Sequence, residues 1–236
     1  MTSSATTSTK PPLRRRARPI TGSLVYLERP ADAAPQGLLV LHHGRGTEER
    51  DLLGLADLLD PERRLRVVTP RAPLTLPGSP GYHWYLVPRV GYPDPETFAA
   101  AREALAELHD GLWGETGVDP QQTVLGGFSM GAVMSYAMAL SAERPAVAGV
   151  LAFSGFVPTV EGWAPSFGDR LGTRAFISHG RRDPVIGIEF AERARHLLEE
   201  GGLTVEYYES ELGHQIEPAH LSAARSWLDE TLPPPR

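Results

Sequence analysis

Cysteine is absent from all 236 residues of the chain. That excludes disulfides, a thiol nucleophile and thiolate-held metal sites, and it leaves the compartment open. Long apolar runs are missing too. None approaches the roughly 18 residues needed to cross a bilayer, so stable membrane insertion is not expected. Positive charge is in deficit, with a formal net charge of −6. This favours solubility and gives no general affinity for nucleic acid. There is no internal repeat. Glycine and proline are plentiful, 24 and 22 residues, but they punctuate apolar runs and follow no collagen-like period.

With 41% hydrophobic residues the chain is ordinary for a globular protein and can bury a sizeable core. Its length suits a single domain, taken here as residues 19–236. Residues 1–18 stand apart, with a Ser/Thr-rich start and the basic cluster Arg14-Arg15-Arg16-Ala17-Arg18. A secretory signal needs an apolar stretch after the charges, and the segment that follows is too short and too polar. An Arg- and Ser-rich, acid-poor start also fits an organelle transit peptide. The reading adopted is a disordered basic tail on a cytoplasmic protein.

From residue 20 onward, short apolar runs alternate with helical stretches. Strands are expected at 24–27, 38–42, 65–69, 123–128, 147–153, 175–178 and 205–209. Helices are expected at 51–59, 95–113, 129–141, 188–200 and 218–232. Such alternation implies an α/β fold, a mostly parallel sheet with helices on both faces. Function then belongs at the carboxyl ends of the strands.

The sharpest motif is Gly127-Phe128-Ser129-Met130-Gly131, a G-x-S-x-G between an expected strand and an expected helix. The chain must turn sharply there, and side chains at the flanking positions would collide in so tight a turn. The competing interpretation is an ordinary serine N-cap. A serine hydroxyl needs a base, and in strand–turn–helix sites of this kind the acid and the histidine follow in that order. Asp183 lies directly after the expected strand 175–178, and His214 directly after 205–209. Alone, the Asp reads as a turn or cap residue and the His as structural. Three residues in the right order at three strand ends are hard to assign to chance. His179 precedes the acid and is expected to shape its loop. His109, His196 and His220 fall in expected helices as surface or packing residues.

His42-His43-Gly44-Arg45-Gly46 follows the second expected strand. A glycine-rich turn here can present the Arg45 N–H beside that of Met130, forming an oxyanion hole. The alternatives are a simple turn or a phosphate loop, but neither GxxxxGK[ST] nor GxGxxG is present. A metal held by His42 and His43 lacks a carboxylate at ligand spacing, so no metal and no cofactor are assigned. Two longer loops remain. Residues 70–95 hold seven prolines together with Trp84 and Tyr85, and residues 154–172 hold Phe156 and Trp163. These four aromatics are the candidate substrate contacts, with packing as the alternative. Trp84 and Trp163 would equally suit a dimer face if exposed, which leaves a homodimer open. Residues 154–172 could form a short cap but are too few for a large lid domain.

The assembled residues resemble the phospholipase/carboxylesterase family of α/β-hydrolases, which includes acyl-protein thioesterases and small bacterial carboxylesterases. The matching pieces are His43-Gly44-Arg45-Gly46, Pro70-Arg71-Ala72-Pro73, Trp84-Tyr85, the Ser129 motif, His179-Gly180 with Asp183-Pro184-Val185, and Gly213-His214. Two positions depart. Gly46-Thr47-Glu48 stands where the family often continues Gly-Asp or Gly-Gly, and Met130 stands where acyl-protein thioesterases usually carry Gln. The resemblance implies a carboxylesterase of bacterial type, acting on a small-molecule ester, thioester or lysophospholipid through an acyl-enzyme on Ser129. A ligand-binding protein that kept the fold, or an acyltransferase or peptidase with the same triad, are the alternatives, since fold alone does not decide chemistry.

Overall fold

A computed structural model describes residues 14–16 and 24–233 of the chain. Its strands are β1 (Arg14–Arg16), β2 (Tyr26–Arg29), β3 (Leu38–His42), β4 (Arg66–Pro70), β5 (Thr123–Phe128), β6 (Gly149–Phe153), β7 (Arg174–Gly180) and β8 (Thr204–Ser210). Its helices are α1 (Leu53–Leu59), α2 (Pro95–Thr116), α3 (Met130–Ala139), α4 (Ile188–Glu200) and α5 (Leu221–Thr231). Two 3-10 turns, Pro120–Gln122 and Pro218–His220, lead into β5 and α5.

The strands form one eight-stranded sheet in the order β1-β2-β4-β3-β5-β6-β7-β8. From β4 to β8 every pairing is parallel, while β1 and β2 add antiparallel at one edge. Because side chains alternate along a strand, each central strand feeds two cores. Leu38 and Val40 of β3 face α2, α3 and α4, while Leu39 and Leu41 face α1 and α5. Val150 and Leu151, and then Ala175 and Phe176, divide in the same way. Both faces are thereby covered, which is why these strands read as continuous apolar runs.

Local chemistry sets the helix ends. Asp94 caps α2 by accepting the Thr97 N–H at 2.9 Å, and Pro95 fills the first position, where no N–H is needed. A buried ion pair ties β2 to the far end of α1. The Arg29 guanidinium donates to the carbonyls of Ala56 and Asp60, at 3.3 and 2.9 Å, and to the Asp60 carboxylate. That carboxylate also accepts the N–H groups of Arg64 and Leu65, both at 3.0 Å. Both carboxylate oxygens are engaged, which makes the pair tolerable in the core although the Arg29 Nε–H finds no partner among the described residues. Removing one partner would cost about 3–5 kcal/mol.

The expected tail 1–18 lies outside the described residues except for Arg14–Arg16, which pair with β2 as an edge strand. The expected first strand is displaced by two residues and runs antiparallel to β4. Among the described residues no helix is long and apolar enough to cross a membrane. Among the described residues no inserted domain stands over the strand ends. The chain runs from β3 to β4 on one side and then returns to β5 on the other side of β3. A crevice opens at such a reversal, beyond the carboxyl ends of β3 and β5.

Candidate active site

Five strand ends supply the site: the turn after β3, Ser129 after β5, Phe153 closing β6, Asp183 after β7 and His214 after β8. Ser129 has φ 55° and ψ −122°, a left-handed conformation that a non-glycine residue adopts at a cost. The glycines around it are there for closeness. A Cβ on Gly127 would lie 2.6 Å from both the Gly131 carbonyl carbon and the His42 carbonyl oxygen. One on Gly131 would fall onto that same His42 oxygen. The elbow is fixed further by the Ser129 N–H, which donates to the Phe153 carbonyl at 2.9 Å.

Ser129, His214 and Asp183 form one hydrogen-bonded line. His214 Nε2 is 2.8 Å from Ser129 Oγ, and His214 Nδ1 is 2.6 Å from Asp183 Oδ2. Asp183 Oδ1 is occupied by the N–H groups of Val185 and Ile186, at 2.8 and 2.9 Å. The remaining oxygen therefore takes the proton on Nδ1, and Nε2 is left basic towards the serine. Ser129 and Asp183 are each 7% exposed, while the His214 side chain is 18% exposed. The imidazole thus has a wet edge, and the carboxylate is shielded.

His179 lies against the acid loop, as its place in the sequence implies. Its Nε2–H donates to the Ile186 carbonyl at 2.8 Å and lies 3.4 Å from Asp183 Oδ2. Burial pushes its pKa down, so the ring is neutral and serves as a brace. Phe128 was not among the candidates. Its ring packs against His214 at 4.9 Å and limits how the imidazole can swing. Its position beside the nucleophile in the G-x-S-x-G motif was the available signal.

His42 and His43 are braces as well. His43 Nδ1 meets the Gly44 carbonyl at 2.7 Å, and its Nε2 accepts the Ala72 N–H at 3.0 Å. This pins the Arg45 turn to the segment after β4. Gly46 N–H then donates to the Tyr82 carbonyl at 2.9 Å. His42 Nδ1 is 2.8 Å from Ser135 Oγ, which in turn donates to the Gly131 carbonyl at 3.0 Å. Burial lowers the pKa of both imidazoles.

The aromatic candidates need correction. Trp84 and Tyr85 are 0% and 3% exposed, so Trp84 offers no dimer face. Their loop turns inwards because paired backbone bridges, Thr47 with Tyr82 and Leu74 with His83, fold it under the β3 turn. Tyr85 packs edge-on against Phe98, Trp163 is half-buried on the same ring, and Phe156 is buried against Phe190. Among the described residues no cluster of three or more His, Asp or Glu is arranged to hold a metal.

The chain is similar to known proteins in sequence and in fold. The chain is 27% identical to acyl-protein thioesterase 1 of Emericella nidulans over 124 residues, covering 50% of this chain and 52% of that one. It thus spans about half the length of that relative. Lysophospholipase-like protein 1 of Mus musculus is 25% identical over 181 residues, covering 72% of this chain and 75% of that one. The carboxylesterase of Bacillus cereus superposes with a TM-score of 0.78 at 25% identity, over 89% of this chain and 96% of that one. The signature of the phospholipase/carboxylesterase family matches residues 27–232, nearly the whole described domain. That span takes in all five strand ends that build the site, and the chain belongs to the phospholipase/carboxylesterase family.

Proposed function

We propose that the chain is a serine hydrolase that cleaves carboxylic esters or thioesters of small molecules through an acyl-enzyme on Ser129. The observation that carries this is the unbroken line from Ser129 Oγ through His214 to Asp183. His214 Nε2 takes the hydroxyl proton as Oγ attacks the carbonyl carbon. Asp183 holds the tautomer and stabilises the imidazolium that forms. The N–H groups of Arg45 and Met130 hold the oxyanion, supported by the closeness of the β3 turn to the elbow. His214 then protonates the leaving alcohol or thiol, and water releases the acid by the same steps in reverse.

Phe156 follows Gly155, which lies against the Ser129 carbonyl. Its ring packs on Phe190, which lines a groove of about 520 Å³ together with Tyr92 and Val157.

Hydrolysis of a p-nitrophenyl ester series, from acetate to long acyl chains, tests the reading. Ser129→Ala should lower kcat at least about 10³-fold with the fold intact, and a fluorophosphonate should label Ser129. Turnover retained in that variant would overturn the assignment. A folded wild type that neither turns over nor takes the label would favour a ligand-binding protein. Ester products formed with an added acceptor alcohol would favour an acyltransferase.

A further inference from the structure

The two N–H groups assigned to the oxyanion come from elements about 85 residues apart in sequence. Pairing of β3 with β5 sets their register as far as His42 and Gly127. Beyond that pair the chains diverge, one into the Arg45 turn and the other into the elbow. Two donors aimed at one oxygen must still hold their separation closely, because an oxyanion is recognised by geometry.

Trp84 touches both arms. Its indole Nε1–H donates to the His43 carbonyl at 2.9 Å, two residues before Arg45. Its backbone N–H donates to Met130 Sδ at 3.3 Å, on the residue that supplies the other N–H. Its ring lies 5.4 Å from His43 and meets His42 edge-on at 5.5 Å. Trp84 is fully buried and Met130 is 4% exposed, so neither contact competes with water. A buried tryptophan needs some acceptor for its N–H. Here the acceptor is a carbonyl of the oxyanion turn, and the same residue's backbone grips the side chain of the other arm. The Met130 sulfur supplies the acceptor for the buried Trp84 backbone N–H.

We propose that Trp84 is a positioning residue that keeps the Arg45 and Met130 N–H groups in register for the transition state. The inference rests on the reading of those two groups as the oxyanion hole. It separates Trp84 from the substrate contacts: loss of its indole donor should affect kcat, while KM should hold.

The test replaces Trp84 with β-(3-benzothienyl)alanine, which keeps the shape of the ring but has sulfur in place of N–H. Trp84→Phe is a second variant lacking the donor. Separately, the α-hydroxy analogue of arginine at position 45 turns the Arg45 N–H into an ester oxygen. Each is assayed for kcat and KM on a p-nitrophenyl ester and for affinity to a trifluoromethyl ketone, which forms a tetrahedral adduct. The position-45 ester should lower kcat and ketone affinity by about 10²-fold or more. The Trp84 isostere should lower both by about tenfold with KM within twofold, a fraction of the loss of a whole donor. Loss at position 45 with no loss in the folded Trp84 isostere would overturn the inference and leave the hole standing. No loss at position 45 would overturn the hole, and the inference with it. A Trp84 isostere that raises KM while kcat holds would make Trp84 a substrate contact after all.

Discussion

At Ser129 a positive φ is held in place by its neighbours, and the cost falls on residues that perform no chemistry. Gly131 shows this most plainly, because a methyl group there would coincide with the His42 carbonyl. That carbonyl belongs to a central strand and cannot retreat, so the first turn of α3 must move instead. Gly131→Ala should therefore lower kcat/KM about 10²-fold, the loss that follows an ångström-scale displacement of reacting groups. The measurement is ester turnover beside a denaturation curve. A folded Gly131→Ala enzyme with wild-type turnover would show that the elbow tolerates the shift. At this scale the catalytic candidates were legible and their surroundings were not. Ser129, Asp183 and His214 each follow a strand, so local pattern was enough to nominate the three residues that the fold brings into hydrogen-bond contact. Trp84 reads from sequence as a candidate substrate contact on a proline-rich loop, with packing as the alternative. Its burial depends on backbone bridges to residues 47 and 74, which no local pattern encodes.

Elements were legible where two signals coincided. Helix α2 carries an apolar stripe, an Asp94 cap and Pro95 at its first position, and it was expected within three residues of its observed end. The antiparallel placement of β2 was not legible, because direction depends on which strand it meets, in this case β4. Pairing of Arg14–Arg16 was hidden because three arginines carry no apolar alternation. Helix α2 also holds two glycines, Gly111 and Gly114, at exposed positions where an added Cβ meets nothing within 4 Å. Glycine in a helix interior costs conformational entropy relative to alanine without a packing return at either position. Gly111→Ala and Gly114→Ala should each stabilise the protein by about 0.5–1 kcal/mol, read as a higher urea midpoint at unchanged slope. The site lies on the loops at the other end of the fold, so ester turnover should not change. A lowered midpoint would mean that this face of α2 is covered by something in solution.

Across the whole molecule, covering the sheet on both faces buries titratable groups along with the apolar ones. His42, His43, His109 and His179 are each no more than 1% exposed, and burial lowers the pKa of all four. For His109 on α2 the value falls to about 3, first through burial and then through the Arg144 cation beside it, with Asp110 opposing. Its ring also lies 5.8 Å from both His42 and Trp113, which leaves little room for a water to solvate a charge. The unfolded chain protonates these imidazoles near the ordinary value of 6.5, whereas the folded protein resists. Below that pH the unfolded state binds more protons, so stability is full above about 6.5 and is lost as pH falls towards about 3. Between those limits His109 contributes a slope of about 1.4 kcal/mol per pH unit. The protein should therefore be acid-labile. Urea denaturation at pH 7.5 and 5.5 measures the loss, and His109→Leu isolates one share of it. That variant should lose about 1 kcal/mol less between the two pH values than the wild type does. Equal losses would mean that His109 accepts a proton in the folded state, and the core between α2 and β3 would then have to admit water.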